Sequence, residues 1–363
     1  MGEERSRRAF ALRLGLTPAT PKKIRGVAMN QVYENAMRRA LDLALLGPAW
    51  GVNPQVGAVI LDASGSIIAE GFHRGAGTAH AEVDALSKLS VVPAGSTAVV
   101  TLEPCNHTGK TGPCAQALID AGISRVVYAV TDPGQASANG ASTLRAASVE
   151  VVAGVLEAEG LALIEKWMWF ASHGTPWVTL KWATSVDGRA AANDGTSKWI
   201  SGPESRAESH LRRSNADAIL VGTGTVLADD PELTARKADG SLYEHQPLRV
   251  VIGSSALPEG ARVFDESAST LVLKTHDLEA VLQTLGAQGV KELWVEGGPT
   301  VASKFVAAGL VNEYLVYLAP KVLGGSRVAL QDVGVGSMPE AVELRFESVT
   351  RLGEDILIRA RGK

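Results

Sequence analysis

A histidine, a glutamate and two cysteines stand in the first third of the chain at a spacing that could hold a catalytic metal. One residue separates His80 from Glu82, and Cys105 and Cys114 follow, each directly after a proline. Histidine nitrogen and cysteine thiolate are preferred zinc ligands, and a catalytic zinc keeps three protein ligands and leaves its fourth position for water. His80, Cys105 and Cys114 supply that count, so the spacing predicts an open zinc site.

Glu82 has the placement of a proton carrier. A water activated by zinc needs a base to take its proton and an acid to return it to departing ammonia. Glu82 lies two residues after His80 on a predicted helix, so its side chain leaves in a different direction. We therefore assign Glu82 a catalytic acid–base role beside the metal rather than a fourth ligand position.

Two simpler interpretations of these residues remain open from the sequence. A structural zinc site would need four protein ligands, and His107 could supply the fourth. The two cysteines could also form one disulfide or remain idle core thiols. Neither interpretation explains the placement of Glu82.

The elements that must position these residues alternate between strand and helix. A hairpin is predicted around the turn at 62–65, and a helix begins near His80. A buried strand leads to Cys105, and Pro113 opens a helix that ends at Gly122. Further strands are expected over 125–130 and 149–155, followed by a helix to about residue 170.

The second half shows the same alternation of strands and helices after a predicted domain boundary at 173–176. Six strand-like segments follow, namely VTLKWA, AILVG, LRVVIG, TLVLKT, ELWVEGG and YLVYLAP, with helical stretches near 203–214, 277–285 and 299–308. That order predicts a second, mainly parallel α/β sheet. Because 363 residues exceed one usual hydrophobic core and the halves share no repeated motif, we expect two different domains.

The composition of the chain limits the kinds of binding partner that it can have. A net charge of −4 argues against bulk nucleic-acid binding, and no run of eighteen apolar residues predicts a membrane span. Residues 1–28 are basic and contain no secretory apolar region, so we treat them as an extension outside the fold. We expect a cytoplasmic enzyme acting on a small molecule, and a few arginines suffice for an anionic one.

The pattern H-A-E…P-C…C resembles the cytidine-deaminase superfamily of zinc nucleobase deaminases. Eight residues separate the cysteines here, in CNHTGKTGPC, where many members have two. This loop and its flanks resemble one branch, the bifunctional riboflavin-biosynthesis deaminase–reductases. Asn53 opens NPQVG, which is similar to the N-P-x-V-G segment whose asparagine contacts the pyrimidine in that branch.

The second half resembles the reductase domain of the same family through KWATSVDGR, SKWIS, TGTVLADDP and EGGPT. The resemblance implies a cytidine-deaminase-like three-layer domain, 29–173, followed by a dihydrofolate-reductase-like α/β domain, 174–363. It implies zinc and NADPH as cofactors and a homo-oligomer formed through the reductase domain.

The same resemblance places the reductase ligands. The phosphoribosyl-pyrimidine would be held by Ser197, Arg213, Leu233, Arg236 and Glu296. NADPH would be held by Ala183, Trp199, Thr225, Asp229, Gly298, Pro299, Thr300, Val301, Ala302, Ser303 and Lys304. Arg213 and Arg236 could grip a phosphate through paired hydrogen bonds, and free N–H groups after Gly297 could face a pyrophosphate.

Three rival hypotheses stay open. A deaminase of RNA adenosine would carry a basic groove and closely spaced cysteines. A non-enzymatic, zinc-stabilised binding module would make Glu82 a solvated helix residue. A protein with one active and one degenerate half would carry out a single step. We expect two consecutive steps of riboflavin synthesis: hydrolytic deamination of a diaminopyrimidine phosphate, and NADPH reduction of its ribosyl group to a ribityl chain.

Overall fold

The computed structural model describes residues 27–107, 112–134 and 137–363. The chain divides into two compact units between His173 and Gly174. The extension predicted at 1–28 lies outside the described residues except for Val27 and Ala28, which begin the first helix.

The first unit has one five-stranded sheet. Its strands are β1 Gly57–Leu61, β2 Ile67–Phe72, β3 Thr97–Leu102, β4 Arg125–Val130 and β5 Glu150–Ala153. Its helices are α1 Val27–Ala44, α2 Ala81–Leu86, α3 Cys114–Asp120, α4 Gly140–Ala146 and α5 Glu157–His173. The strand order is β2-β1-β3-β4-β5, with β1 antiparallel to β2 and β3, and with β3, β4 and β5 parallel. The predicted hairpin is confirmed.

Helices cover both faces of this sheet, so the strands are buried on both sides. On one face α1 and α5 pack through Met37 and Ile164 against Val59 and Val99. On the other face α2, α3 and α4 pack through small and branched side chains against Ala58. The unit therefore has three layers, as expected, and the zinc-type residues lie on the layer of the short helices.

Gly71 sets the distance between β2 and α2. A Cβ atom at this position would lie 2.3 Å from the carbonyl oxygen of Ala81 and 2.4 Å from the backbone nitrogen of Ala85. Carbon atoms do not approach backbone that closely, so the contact requires glycine. The helix that carries Glu82 therefore lies directly on the sheet.

The second unit has one eight-stranded sheet. Its strands are β6 Trp177–Ser185, β7 Ala218–Gly222, β8 Leu248–Ile252, β9 Thr270–Leu273, β10 Glu292–Val295, β11 Glu313–Ala319, β12 Leu344–Leu352 and β13 Asp355–Gly362. Its helices are α6 Pro203–Arg213, α7 Thr223–Asp229, α8 Leu278–Ala287 and α9 Pro299–Ala307. The order is β12-β13-β11-β6-β10-β7-β8-β9.

Strands β6 to β11 pair in parallel, and the β12–β13 hairpin adds an antiparallel edge. The mainly parallel sheet is therefore confirmed, whereas α7 and the terminal hairpin are additions to the predicted elements. Strand β10 lies between β6 and β7, so α7 and α9 both begin at the carboxyl ends of neighbouring strands. Such an edge is where parallel α/β sheets bind ligands. In the described part of the chain, no helix is long and apolar enough to cross a membrane.

Candidate functional site

Three elements bring the predicted ligands together in the first unit. His80 directly precedes α2, Cys114 is the first residue of α3, and Cys105 lies in the turn after β3. The backbone N–H of Cys114 donates to Cys105 Sγ at 3.4 Å, which fixes the start of α3 against this turn. His80 Nδ1 lies 3.2 Å from Cys114 Sγ and 3.6 Å from Cys105 Sγ.

These three donors fit a zinc ion. Ligands at the usual zinc–sulfur and zinc–nitrogen distances in a tetrahedral site lie about 3.6 Å apart, and here all three ligand atoms lie within 4.8 Å of one another. Both cysteines are free thiols, so the disulfide alternative is excluded. His107 is not a member of the group, and among the described residues its buried Nδ1 has no hydrogen-bond partner. The donor set is that of a site with three protein ligands.

Glu82 lies inside this site and is only 3% exposed. Burial raises the pKa of its carboxyl above the ordinary value, and the carboxyl is hydrogen-bonded with Cys114. Hydrogen bonds with Cys114 and with His80 lower the pKa of the Cys105 thiol, which favours the thiolate form that binds zinc. The geometry therefore places a carboxyl that can hold a proton beside the three metal donors.

Asn53 lies in the loop before β1 and contacts a residue that the sequence did not single out. The Asn53 side-chain amide and His73 Nε2 are 2.8 Å apart. The His73 ring is buried and lies 5.3 Å from the His80 ring, centroid to centroid, in an edge-on arrangement. His73 has neither a ligand spacing nor a helical phase relation to the zinc residues, so no local pattern pointed to it.

In the second unit, two residues predicted to contact the substrate are hydrogen-bonded to each other. Arg213 Nε and Nη2 donate to the two carboxylate oxygens of Glu296 at 2.8 Å and 2.6 Å, and its Nη1 donates to the carbonyl of Thr234 at 3.0 Å. Lys181 Nζ lies 3.7 Å from the same carboxylate. Arg213 therefore does not present a free fork for a phosphate, contrary to the simplest expectation for it.

The cations outweigh burial at Glu296. Burial alone would raise the pKa of this carboxyl, but Arg213 and Lys181 hold it well below its usual range. The Trp294 indole also donates to Glu296. Glu296 is therefore an ionised carboxylate held in one position. Lys181 belongs to the same cluster, although the sequence motif that contains it predicted no role for it.

Arg236 lies near this cluster on the segment after α7. Its backbone N–H donates to His210 Nδ1 at 3.2 Å, and its guanidinium pairs with Glu232. Leu233 is buried with a positive φ of 55° in the same segment. Ser197 is half-buried in the loop before α6. Among the described residues, no hydrogen bond joins Ser197 or Leu233 to Glu296.

The residues predicted to hold NADPH cluster in part. Thr225 Oγ1 accepts a hydrogen bond from the Gly298 N–H at 3.3 Å, which joins the starts of α7 and α9. A Cβ at Gly297 would lie 2.5 Å from Val301, so the turn before α9 requires glycine. The residues from Pro299 to Lys304, namely Pro299, Thr300, Val301, Ala302, Ser303 and Lys304, form the first turns of α9.

The other three predicted cofactor residues are Ala183, Asp229 and Trp199. Ala183 is half-buried on β6, and Asp229 is exposed at the end of α7. Trp199 is 63% exposed in the loop before α6, with the Arg206 guanidinium 4.7 Å from its ring centroid. No hydrogen bond in the described chain connects these side chains with Gly298.

The three-layer unit with its His-Cys-Cys group and buried glutamate defines a zinc-dependent deaminase, joined to an α/β unit built for a nucleotide. Residues 30–130 match the family described as cytidine and deoxycytidylate deaminase zinc-binding region, and residues 176–358 match the RibD C-terminal domain. The chain belongs to the RibD family and is a bifunctional enzyme of riboflavin biosynthesis with a deaminase and a reductase domain, which use zinc and NADPH.

Relatives and solved structures agree over most of the chain. The riboflavin biosynthesis protein RibD of Mycobacterium tuberculosis is 50% identical over 307 residues, which cover 84% of this chain and 90% of the relative. That of Escherichia coli is 37% identical over 364 residues, covering 91% and 99%. The structure of Acinetobacter baumannii RibD superposes with a TM-score of 0.86 at 34% identity, covering 92% of this chain and 99% of that one. The predicted fold class is confirmed.

Proposed function

We propose that the zinc unit, 29–173, deaminates 2,5-diamino-6-ribosylamino-pyrimidinone 5'-phosphate and that the second unit, 174–363, then reduces the ribosyl group to a ribityl chain with NADPH. The observation that carries the proposal is the buried Glu82 carboxyl against three donor atoms that lie within 4.8 Å of one another. A relative of known structure from Thermotoga maritima is described as a deaminase of this pyrimidine and a reductase of the product. It is 34% identical to this chain, with a TM-score of 0.82 over 92% of this chain and all of that one.

In the deaminase unit, His80, Cys105 and Cys114 would hold the zinc. Zinc held by these residues would supply a water of lowered pKa that can act as the nucleophile at neutral pH. Glu82 takes a proton from the attacking water and passes it to the departing amino group. Because burial raises the pKa of the Glu82 carboxyl, the residue can hold this proton between the two transfers.

Asn53 orients the pyrimidine in this proposal. Its amide lies beside the His73 ring, which in turn lies next to the ligand His80. A fixed amide in the pocket binds one edge of the ring and thereby places the amino-bearing carbon toward the metal group.

In the reductase unit, the ribose binds against the polar cluster of Glu296, Arg213 and Lys181. NADPH supplies the hydride. The Glu296 carboxylate is held in one position by two hydrogen bonds from Arg213, so it can orient ribose hydroxyl groups without rearrangement. Arg236 and Ser197 are assigned to the phosphoribosyl part, with Leu233 packing beside it. Arg213 acts through Glu296 rather than as the phosphate grip.

The N-terminus of α9 is assigned to the cofactor pyrophosphate. Its backbone N–H groups follow the Gly298 turn, and a helix start favours a phosphate. Thr225 fixes that turn through its hydrogen bond with Gly298. Ala183 and Asp229 flank the remaining cofactor, and Trp199 offers an exposed ring on which a planar group can stack.

The partner assignments follow the same proposal. The substrate is a small phosphorylated pyrimidine, and we assign the protein no nucleic-acid or membrane partner. We place it in the cytoplasm, as a homo-oligomer formed through the reductase domain.

The decisive variant is Glu82→Gln. We expect it to keep one zinc per chain but to lose ammonia release from the diaminopyrimidine phosphate by about 10²- to 10⁴-fold, because the amide cannot move the proton. The matched control is Glu70→Gln. Glu70 lies on β2, and the substitution removes a carboxylate that pairs with Arg39, so ammonia release should stay unchanged. A protein that ignores this pyrimidine but deaminates a tRNA anticodon stem would refute the proposal, as would full activity in Glu82→Gln.

A further inference from the structure

His73 is a buried histidine with both ring nitrogens in use. Its side chain is 4% exposed, although it lies in the loop that leads from β2 to α2. Nδ1 lies 3.0 Å from the carbonyl oxygen of Ala79, and Nε2 lies 2.8 Å from the Asn53 side-chain nitrogen. The two contacts join the loop before β1 to the residue that immediately precedes the ligand His80.

The chemistry of the partners fixes the tautomer of this ring. A carbonyl oxygen can only accept, so His73 Nδ1 must carry a hydrogen. Burial lowers the pKa of His73, which favours the neutral ring. A neutral ring protonated on Nδ1 has an unprotonated Nε2, and that nitrogen can only accept a hydrogen bond.

The orientation of the Asn53 amide follows. Only its nitrogen end can face the accepting Nε2 of His73, because the oxygen end would place two lone pairs against each other. The Asn53 oxygen is thereby held away from His73, and among the described residues it accepts no hydrogen bond. A hydrogen-bond chain from Ala79 through His73 therefore leaves the Asn53 oxygen as an acceptor. The His73 ring that fixes this orientation lies 5.3 Å from the ring of the ligand His80, centroid to centroid.

We propose that His73 is a positioning residue for deamination, which holds the Asn53 amide in the orientation that accepts a hydrogen bond from an N–H group of the pyrimidine. The inference rests on the proposed function, because it concerns the pocket in which the diaminopyrimidine is deaminated. It also specifies the substrate class: a ring that offers an N–H at this point is bound, whereas one that offers a lone pair meets the Asn53 oxygen and is rejected.

The first test is a double-mutant cycle on the full, zinc-loaded chain. His73→Leu should lower kcat/KM for ammonia release about 10- to 100-fold, mainly through KM, and should retain one zinc per chain. His73→Gln, which restores a side-chain oxygen that can accept from Asn53, should recover most of the loss. Because His73 acts through Asn53, the pair Asn53→Ala and His73→Leu should lose no more than Asn53→Ala alone. Additive losses would overturn the proposal, and so would a Gln variant no better than Leu.

The matched control is His245→Leu in the reductase unit. His245 is also a histidine whose pKa is lowered by burial, and its Nε2 also contacts a backbone carbonyl, that of Ala216, at 3.0 Å. Its loss should leave the KM of deamination unchanged. If it raises that KM as much as His73→Leu does, a general loss of stability explains both and the proposal fails.

A second measurement does not depend on folding of the variants or on activity. Two-dimensional ¹H–¹⁵N spectra of the histidine rings in the wild-type chain should show His73 as the neutral tautomer protonated on Nδ1. Protonation on Nε2 would overturn the proposal, since the Asn53 amide would then have to turn its oxygen toward the ring. A wild-type chain that binds zinc but releases no ammonia would instead refute the proposed function, and the ring spectrum would still decide the hydrogen-bond chain.

Discussion

Glu296→Gln tests the buried charge cluster of the reductase unit. The substitution keeps the size of the side chain but removes its charge, so Arg213 and Lys181 lose the carboxylate that compensates both of them. The Arg213 and Glu296 side chains are only 15% and 10% exposed, so water cannot replace the lost partner. Breaking a buried ion pair by removing one partner costs about 3–5 kcal/mol, and we expect that loss here.

An exposed pair provides the control. Arg345 and Glu347 on β12 are 61% and 27% exposed, and their nitrogen–oxygen distance is 2.7 Å. Glu347→Gln should lower the free energy of unfolding by less than about 1 kcal/mol, because solvent screens both charges. The difference between the two variants isolates burial from the simple loss of a glutamate.

Hydrogen–deuterium exchange of the β10 amides is the appropriate assay, because it reports unfolding of this unit separately from the deaminase unit. The triple variant Arg213→Met, Lys181→Met and Glu296→Leu removes both cations together with the carboxylate. It should recover most of the stability, since apolar residues of similar volume can replace a buried ion pair, yet reduction should remain lost. A loss below about 1 kcal/mol in Glu296→Gln would refute the argument, because the pair would then contribute no more than a surface pair.

Three further outcomes follow from the site descriptions. Cys114→Ser should lose zinc, measured by mass spectrometry of the metal, and ammonia release with it, while NADPH oxidation on the deaminated substrate continues. Burial, Arg213 and Arg236 lower the pKa of His210 from 6.5 to about 4. Because the folded protein favours the neutral ring, His210 makes its full contribution to stability above pH 6.5, and that contribution is lost as the pH falls toward 4. Between pH 6.5 and pH 4, the free energy of unfolding of the wild type should fall by about 1–2 kcal/mol more than that of His210→Gln, a figure reduced for solvent screening. Trp199→Ala should raise the KM for NADPH about tenfold with an unchanged melting temperature, because the ring is 63% exposed; an unchanged KM would remove the residue from the cofactor site.

The deaminase site was predictable because its chemistry is local in sequence. The ligand His80 and the carboxylate Glu82 are two residues apart, and both cysteines follow prolines that end or begin an element. Such short spacings survive folding with little change. His73 was not predictable, because its contact with Asn53 spans 20 positions and depends on how two loops meet.

The reductase unit shows the same division. Its parallel strands were visible as apolar runs bounded by turns, and α6, α8 and α9 fall where helical patterns were expected. Helix α7 escaped detection because TGTVLAD is seven residues long and contains no clear apolar period. The pairing of Arg213 with Glu296 spans 83 positions and joins a helix end to a strand end. The resemblance predicted both residues in the substrate site but could not predict that they are hydrogen-bonded to each other.

The absence of a side chain at Gly71 links zinc binding to proton transfer, two functions that different residues perform. Because α2 rests on β2 with no room for a methyl group, a side chain at this position must push the helix outward as a rigid body. The metal ligand at the start of α2 and the proton carrier inside it would then move by the same displacement. Damage at Gly71 would therefore reach metal retention and turnover together, whereas a change at Glu82 separates them. The absence of a Cβ atom at one position of β2 thus sets how closely His80 and Glu82 lie to the sheet.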